Sequence, residues 1–331
     1  MLWPILGVMR PLFSRPAAFG LALLVAMPAS LAAQATAGCP ADTLASGRVC
    51  QAASDALTIF LPIEGLLVGG GNPLPGSAGG IGQLGHVRLV GRVGFTQVTI
   101  PDVGYDGTSD TVAAEKRLTV PVPRLDAAFG LFSKTLPLGT ATVDFVASAV
   151  LIPTGSTTRI AIDKNARQVG GLALGLGFGM RAALAMAKNK PTVSLNVMKR
   201  DIPRLRFGNR AAGDPMQLST TLSAINARLM VGGKKGPVTL AAGAGMDLFK
   251  GDGLVTFADS TTATGDSTVA VPLSTSRIMT ALNLGLTAGP LSFWAEGGLQ
   301  VGKKTELATP FELNDPSGSR FYGGVGFALQ F

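Results

Sequence analysis

Through most of the chain, apolar and polar positions alternate with a period of two, the pattern of strands that hide one face. The clearest run is 171–186. Leu172, Leu174, Leu176, Phe178, Met180, Leu184 and Met186 share one parity, and Gly171, Gly175, Gly177, Gly179 and Arg181 share the other. A soluble sandwich would set bulky polar groups opposite its core face. A face of Gly and Ala suits a narrow enclosed space instead. The rule repeats around 87–95, 125–131, 143–151, 193–197, 225–231, 238–248, 278–286, 291–301 and 321–331. These segments predict ten strands, each of about 9–11 residues, the length that crosses a bilayer at a tilt.

The connections alternate as well. Long ones fall near 101–117, 153–167, 200–216, 250–273 and 303–319, and short ones near 133–139, 187–191, 232–237 and 287–290. Membrane barrels have this asymmetry of long outer loops and short periplasmic turns. The expected fold is therefore all-β: a transmembrane antiparallel up-and-down β-barrel over 86–331, with N and C termini both periplasmic. Composition narrows the choice further. The chain is 47% hydrophobic and only 15% charged, with 44 Gly among 331 residues, and its mean hydropathy is +0.37. Past residue 41, no charge-free apolar run reaches the roughly 20 residues of a spanning helix. A closed barrel is the remaining way to satisfy a backbone in lipid.

Residues 36–85 read less plainly. Positions 54–71 are apolar, and 72–85 are Gly-rich with Pro73 and Pro75. A lumen plug, a periplasmic lead-in and two further strands (a twelve-stranded barrel) all stay open. Gly69-Gly70-Gly71-Asn72 lacks the Lys-Ser/Thr of a phosphate loop. Upstream, Arg10 and Arg15 precede a small-residue apolar stretch over 17–31 that ends in Ala33-Gln34-Ala35. This predicts a signal peptide over 1–35, cleaved after Ala35. Its removal takes two Arg and no acid from a net charge of +8. Cys39 and Cys50 are the two cysteines, and in an exported chain they read as a disulfide. Thr36 is not the large aliphatic residue that a lipoprotein cleavage box needs at that position.

Gly326-Phe327-Ala328-Leu329-Gln330-Phe331 resembles the terminal β-signal of Gram-negative outer-membrane proteins. Gly326, Leu329 and Phe331 fill its Gly, third-last hydrophobic and final aromatic positions. The resemblance implies insertion by the outer-membrane assembly machinery. Tyr is scarce (Tyr105, Tyr322) and Trp294 is the one Trp beyond the signal segment, so the aromatic girdles are expected to be thin and made of Phe.

Candidate chemistry is sparse. Barrel hydrolases need a His beside Ser, Asp or Glu to activate water or a hydroxyl, and the single His, His86, precedes the first strand. The chain reads as a non-enzyme, with no cofactor and no metal expected. Asp102, Asp106, Asp110 and Glu115 gather acid in the first long loop, but their spacing matches no calcium loop. Inward parities carry Arg88, Arg92, Arg124, Arg181, Arg228 and Arg277 with Asp126, Asp144, Asp247 and Glu296. Strand-end counting pairs Arg92 with Asp126, Asp144 with Arg181, and Asp247 with Arg277. Such charges form either a selective constriction or the ion-paired filling of a narrow barrel; filling is favoured. Lys199, Arg200, Arg204, Arg206 and Arg210 make a basic outer loop, suited to the phosphates of outer-membrane lipid and lipopolysaccharide. The pI of 9.8 does not signal nucleic acid, since the basic residues are scattered over turns, lumen and loops. The expected function is a small narrow or plugged channel for passive small-solute passage. The alternative is a closed structural or surface-interaction barrel without transport, with a lipid-modifying outer-membrane enzyme the less favoured third reading.

Overall fold

The computed structural model describes residues 38–331 apart from 42–43, 76, 156–159, 163–167, 170, 187–190, 261, 264, 304 and 313–317. The expected signal peptide lies outside the described residues. The barrel wall is β1 (Val87–Pro101), β2 (Ala114–Leu136), β3 (Gly139–Pro153), β4 (Leu172–Met186), β5 (Thr192–Phe207), β6 (Met216–Lys235), β7 (Val238–Ala258), β8 (Asp266–Ala288), β9 (Leu291–Gly302) and β10 (Arg320–Gln330). Each strand pairs antiparallel with the next, and β1 pairs with β10. The result is a closed ten-stranded up-and-down barrel, with no free edge in the wall. Two short strand pieces in the β3–β4 connection, Ile160–Ile162 and Gln168–Val169, extend the sheet beside β5 and β4.

Outward positions form the apolar belt that the alternation predicts. Leu125, Phe178, Ile278 and Phe321 are each more than half exposed, which in a protein wall means a lipid-facing side. The belt has an upper limit. Beyond Val197 the outward parity of β5 carries Lys199 and Asp201; beyond Leu248, β7 carries Lys250 and Asp252; above Ile278, β8 carries Ser276 and Ser274. Several strands continue well past this limit, to 21 residues in β7 and 23 in β8. The expected strand length of about 9–11 residues therefore describes the belt and not the whole wall. Much of the expected loop sequence at 200–216 and 250–273 is strand that prolongs the barrel on its long-loop side.

Residues 45–69 form one helix, α1 (Ala45–Gly69), and the expectation of twelve strands is corrected by it. Inside a closed barrel the wall has used its backbone donors and acceptors, so an inserted segment must satisfy its own, and a helix does. The segment is Ala- and Leu-rich and apolar on nearly all sides, as a fully surrounded helix should be. It is long and apolar enough to cross a bilayer, yet most of it is buried within the barrel. Leu57 and Leu61 pack over Gly253 and Gly251 of β7, and Gly65 lies against the Phe249 ring, where a Cβ would stand 2.3 Å from it. The helix ends on a run of glycine. Gly70 donates to Leu66 O at 2.8 Å. Gly71 then takes φ +85, with a Cβ position 2.2 Å from the Glu296 carboxylate, so both backbone and space demand glycine there.

The path of this segment sets the two ends of the described chain apart. Gly38 packs against Val269, and Ala45 against Gly107, both at the long-loop end. From there the chain descends through the lumen. At the turn end, Ile81 N donates to the Asp144 carboxylate and Gln330 donates to Ile81 O. Phe331 exchanges backbone hydrogen bonds with Val87 at that end too. The first described residues and Phe331 thus lie at opposite ends of the barrel, because the chain crosses the lumen before its first strand. For the same reason α1 and the described residues of 71–85 lie in the lumen rather than ahead of the barrel.

Candidate functional site

The inward parity places Arg88, Arg92, Arg124, Arg181, Arg228 and Arg277 with Asp126, Asp144 and Asp247 in the interior, each at most 6% exposed. The Glu296 side chain is 3% exposed. What these groups bind differs from strand-to-strand filling. Five arginines donate to backbone carbonyls of the crossing segment. Arg124 reaches Val68 O at 2.6 Å and Gly70 O at 3.0 Å. Arg228 reaches Gly69 O at 3.3 Å, and Arg92 reaches Asn72 O at 2.9 Å. Arg88 and Arg181 reach Pro75 O and Ser77 O, each at 3.1 Å.

The chemistry follows from the sequence of the segment. The last carbonyls of α1 have no partner within the helix and carry the negative end of its dipole. Pro73 and Pro75 contribute no N–H, and the glycines bring bare backbone close to the wall. A guanidinium with five donors in a fixed fork suits such a row of carbonyls. The carboxylates complete the seat. Glu296 accepts from Asn72 N and Arg92, both at 3.1 Å, and Asp126 sits 3.0 Å from Arg92 and 3.4 Å from Arg124. A gap of about 20 Å³ beside them is lined by Leu66, Gly70, Arg124 and Tyr322, among others.

Of the expected pairs, Arg92 and Asp126 touch directly. Asp144 and Arg181 face one another in the β3–β4 register, and both also engage the crossing segment. Arg277 and Asp247 are register partners in β7–β8, but Asp247 is taken by Arg228, Asn226 and Gln300. Arg277 donates instead to Gly318 O at 2.6 Å. Strand-end counting levels Asp144 with Arg181 and Asp247 with Arg277, whereas Arg92 stands opposite Arg124 and two residues from the partner of Asp126; it could not show which long side chain bends to a third partner. The buried amides Asn72, Asn226, Asn283 and Gln300 belong to this network and were not singled out from sequence. Inward parity was the available signal for the three that stand on strands.

Arg200 is a further correction. The sequence pattern places it in a basic outer loop, but it continues the inward parity of Asn196 and Met198, is 1% exposed and donates to Asn226. Of its expected companions, Lys199 stays outside near Asp201 and Arg210 pairs with Asp266. In the acidic first loop, Asp102 and Asp106 accept from the local residues Gly104 and Thr108, and the Glu115 side chain lies outside the described residues. No group of three or more His, Cys, Asp or Glu suited to a metal occurs among the described residues. His86 Nδ1 lies 3.1 Å from Ile81 O at the turn end. Trp294 and Tyr322 point inward, so the outward aromatic side chains are Phe.

The upper end of the segment is fixed separately. Cys39 and Cys50 form a disulfide with Cα atoms 5.6 Å apart, tying the first described residues to α1. Asp55 accepts from Thr309 N at 2.8 Å, which anchors the helix to the last long loop. Burial raises the Asp55 carboxyl above its ordinary range, against the hydrogen bonds from Thr309 and Gln51. At the C-terminal end, Gly326 packs beside Trp294 with no room for a Cβ, and Phe331 is 67% exposed.

No protein-family model matches the chain, and no curated protein matches it. Among solved structures it is similar to Neisserial surface protein A at 9% identity, covering 76% of this chain and 99% of that one with a TM-score of 0.31. It is similar to the translocator domain of the autotransporter NalP from Neisseria meningitidis at 12% identity, covering 86% and 99% with a TM-score of 0.36. A monoaromatic hydrocarbon channel, the TodX deltaS2S3 mutant, aligns at 9% identity over 75% and 90% with a TM-score of 0.33.

Proposed function

We propose that this chain is an outer-membrane barrel held shut by its own N-terminal segment, and that small solutes pass when residues 70–85 leave the lumen. The observation that carries the reading is the row of arginine-to-carbonyl bonds from Val68 to Ser77. These donors hold a glycine- and proline-rich strap, not a bound solute. The apolar belt, the long-loop and short-turn asymmetry and the signal-like N terminus support export to the outer membrane. The final aromatic strand supports handling by the assembly machinery, with lipid and lipopolysaccharide as the surrounding partners. With its His engaged at the turn end, the barrel has no assigned enzymatic role.

Planar-bilayer recording of the refolded full chain tests this, alongside an Arg124→Ala, Arg228→Ala variant. The wild type should stay near the leak, with rare openings that become frequent in the variant. Large steady steps in the wild type, unchanged in the variant, would overturn the plugged reading.

A further inference from the structure

The helix does not fill the barrel evenly. It packs against β6, β7 and β8, and an open-mouthed cavity of about 60 Å³ remains on its other side, bounded by β1, β2, β3, β5 and β6. The stripe of α1 that faces it is Phe60, Glu64 and Leu67, three positions on one helix face. Each of these is half-buried, whereas their neighbours Ile59, Ile63 and Leu66 are buried. The opposite wall is Val98, Ile152 and Phe207.

The carboxyl of Glu64 stands in this apolar lining, and burial alone perturbs it, with no hydrogen bond or charge partner acting on it. A carboxyl placed so without a partner is costly. Mostly apolar walls with a few polar groups, here Glu64, Arg206 and Thr220, are the usual anatomy of a small-molecule site. We propose that the cavity binds a small, uncharged, largely apolar molecule carrying one hydroxyl or carbonyl, which takes a hydrogen bond from Glu64. Burial pushes the Glu64 carboxyl up to about 8, so at neutral pH it holds its proton and is a donor. A cation is disfavoured by Arg206, which lines the same cavity, and by the arginines around Gly70. The cavity lies above the belt, on the long-loop side of the strap, so a molecule there is reached from outside whether or not the strap moves.

Equilibrium binding to the refolded full chain tests the proposal, with 1-naphthol, naphthalene and 1-naphthylmethylammonium as probes. A Val120→Trp variant fills the cavity from the wall and reports partition into detergent. The wild type should bind 1-naphthol saturably and naphthalene about tenfold more weakly, the worth of one buried hydrogen bond. Glu64→Leu should erase that preference while keeping naphthalene, and Val120→Trp should lose both. Three results would overturn the proposal: no saturable naphthol binding, a naphthol preference that survives Glu64→Leu, or tightest binding of the ammonium probe. The measurement involves no conduction, so its failure is distinct from failure of the plugged-channel reading.

Discussion

Arg124→Ala is the sharpest test of how the lumen is closed. Its guanidinium makes two charge-assisted hydrogen bonds to the end of α1, at Val68 O and Gly70 O. Each such bond is worth about 1.5–3 kcal/mol net, so the gross loss is about 3–6 kcal/mol. Two features reduce it. Asp126 keeps Arg92 at 3.0 Å, so no buried charge is orphaned. The adjoining gap also lets water reach the freed carbonyls. A net cost of about 2–3 kcal/mol to seating the strap remains, which multiplies the unseated population by roughly 30–150. Hydrogen exchange over 66–77 should accelerate by that factor, and conductance events should rise with it. Arg124→Lys keeps the charge but not the fork that spans two carbonyls, and should fall between. If the alanine variant shows normal heat-modifiable mobility yet exchanges at the wild-type rate over 66–77, the arginines are not what holds the strap.

Three further outcomes are expected. Gly175→Ser should be tolerated, because its Cβ position meets ordinary contacts at 3.6–3.7 Å, whereas Gly179→Ser should impair folding, since its Cβ would lie 2.1 Å from Val197 O; urea unfolding in vesicles that ranks them the other way would invert the local packing. Glu64→Gln should stabilise the barrel increasingly with pH. The wild-type carboxyl ionises at about 8 in the fold and nearer 4.5 when unfolded, so its burial is uncharged below about 4.5 and penalised as pH rises to 8; a stability difference that is flat with pH refutes this. Phe331→Asp should leave the thermal stability of refolded protein near wild type, because the bonds between residues 87 and 331 are backbone bonds, yet it should lower the amount assembled in the outer membrane. Equal amounts in membrane fractions would remove the assembly role of this residue.

The wall was legible because period-two alternation is a local property and the lipid face enforces it strand by strand. Leu176 and Gly175 face opposite ways, as their chemistry requires. The strand ends were less legible. Above the belt, lipid no longer dictates the outward residues, so Lys199, Lys250 and Ser276 look like loop although they lie in strand. Arg200 is hidden for that reason, two inward positions beyond Asn196, where the apolar alternation of 193–197 ends. α1 was hidden for a different one. Its apolar character came from being surrounded on all sides, which erases the periodicity that separates helix from strand. The seat of the strap could not be read at all, since a guanidinium that binds a carbonyl leaves no mark on the carbonyl's residue type.

The charge inventory of the lumen connects these points. Among the described residues of the wall, seven inward arginines, Arg88, Arg92, Arg124, Arg181, Arg200, Arg228 and Arg277, face four inward carboxylates, Asp126, Asp144, Asp247 and Glu296. In a water-filled pore that surplus would be solvated and would favour anions. In a narrow dry interior it would oppose folding. Six carbonyls from Val68 to Ser77 resolve the conflict by lending oxygen dipoles where acids are missing. The glycines and prolines of 69–75 make this possible, since they bring bare backbone within reach and leave its carbonyls uncommitted. The strap and the arginines are therefore one unit. Withdrawing the strap exposes a strongly positive lumen that water must enter, so a barrel that opens at all should open abruptly, and toward anions.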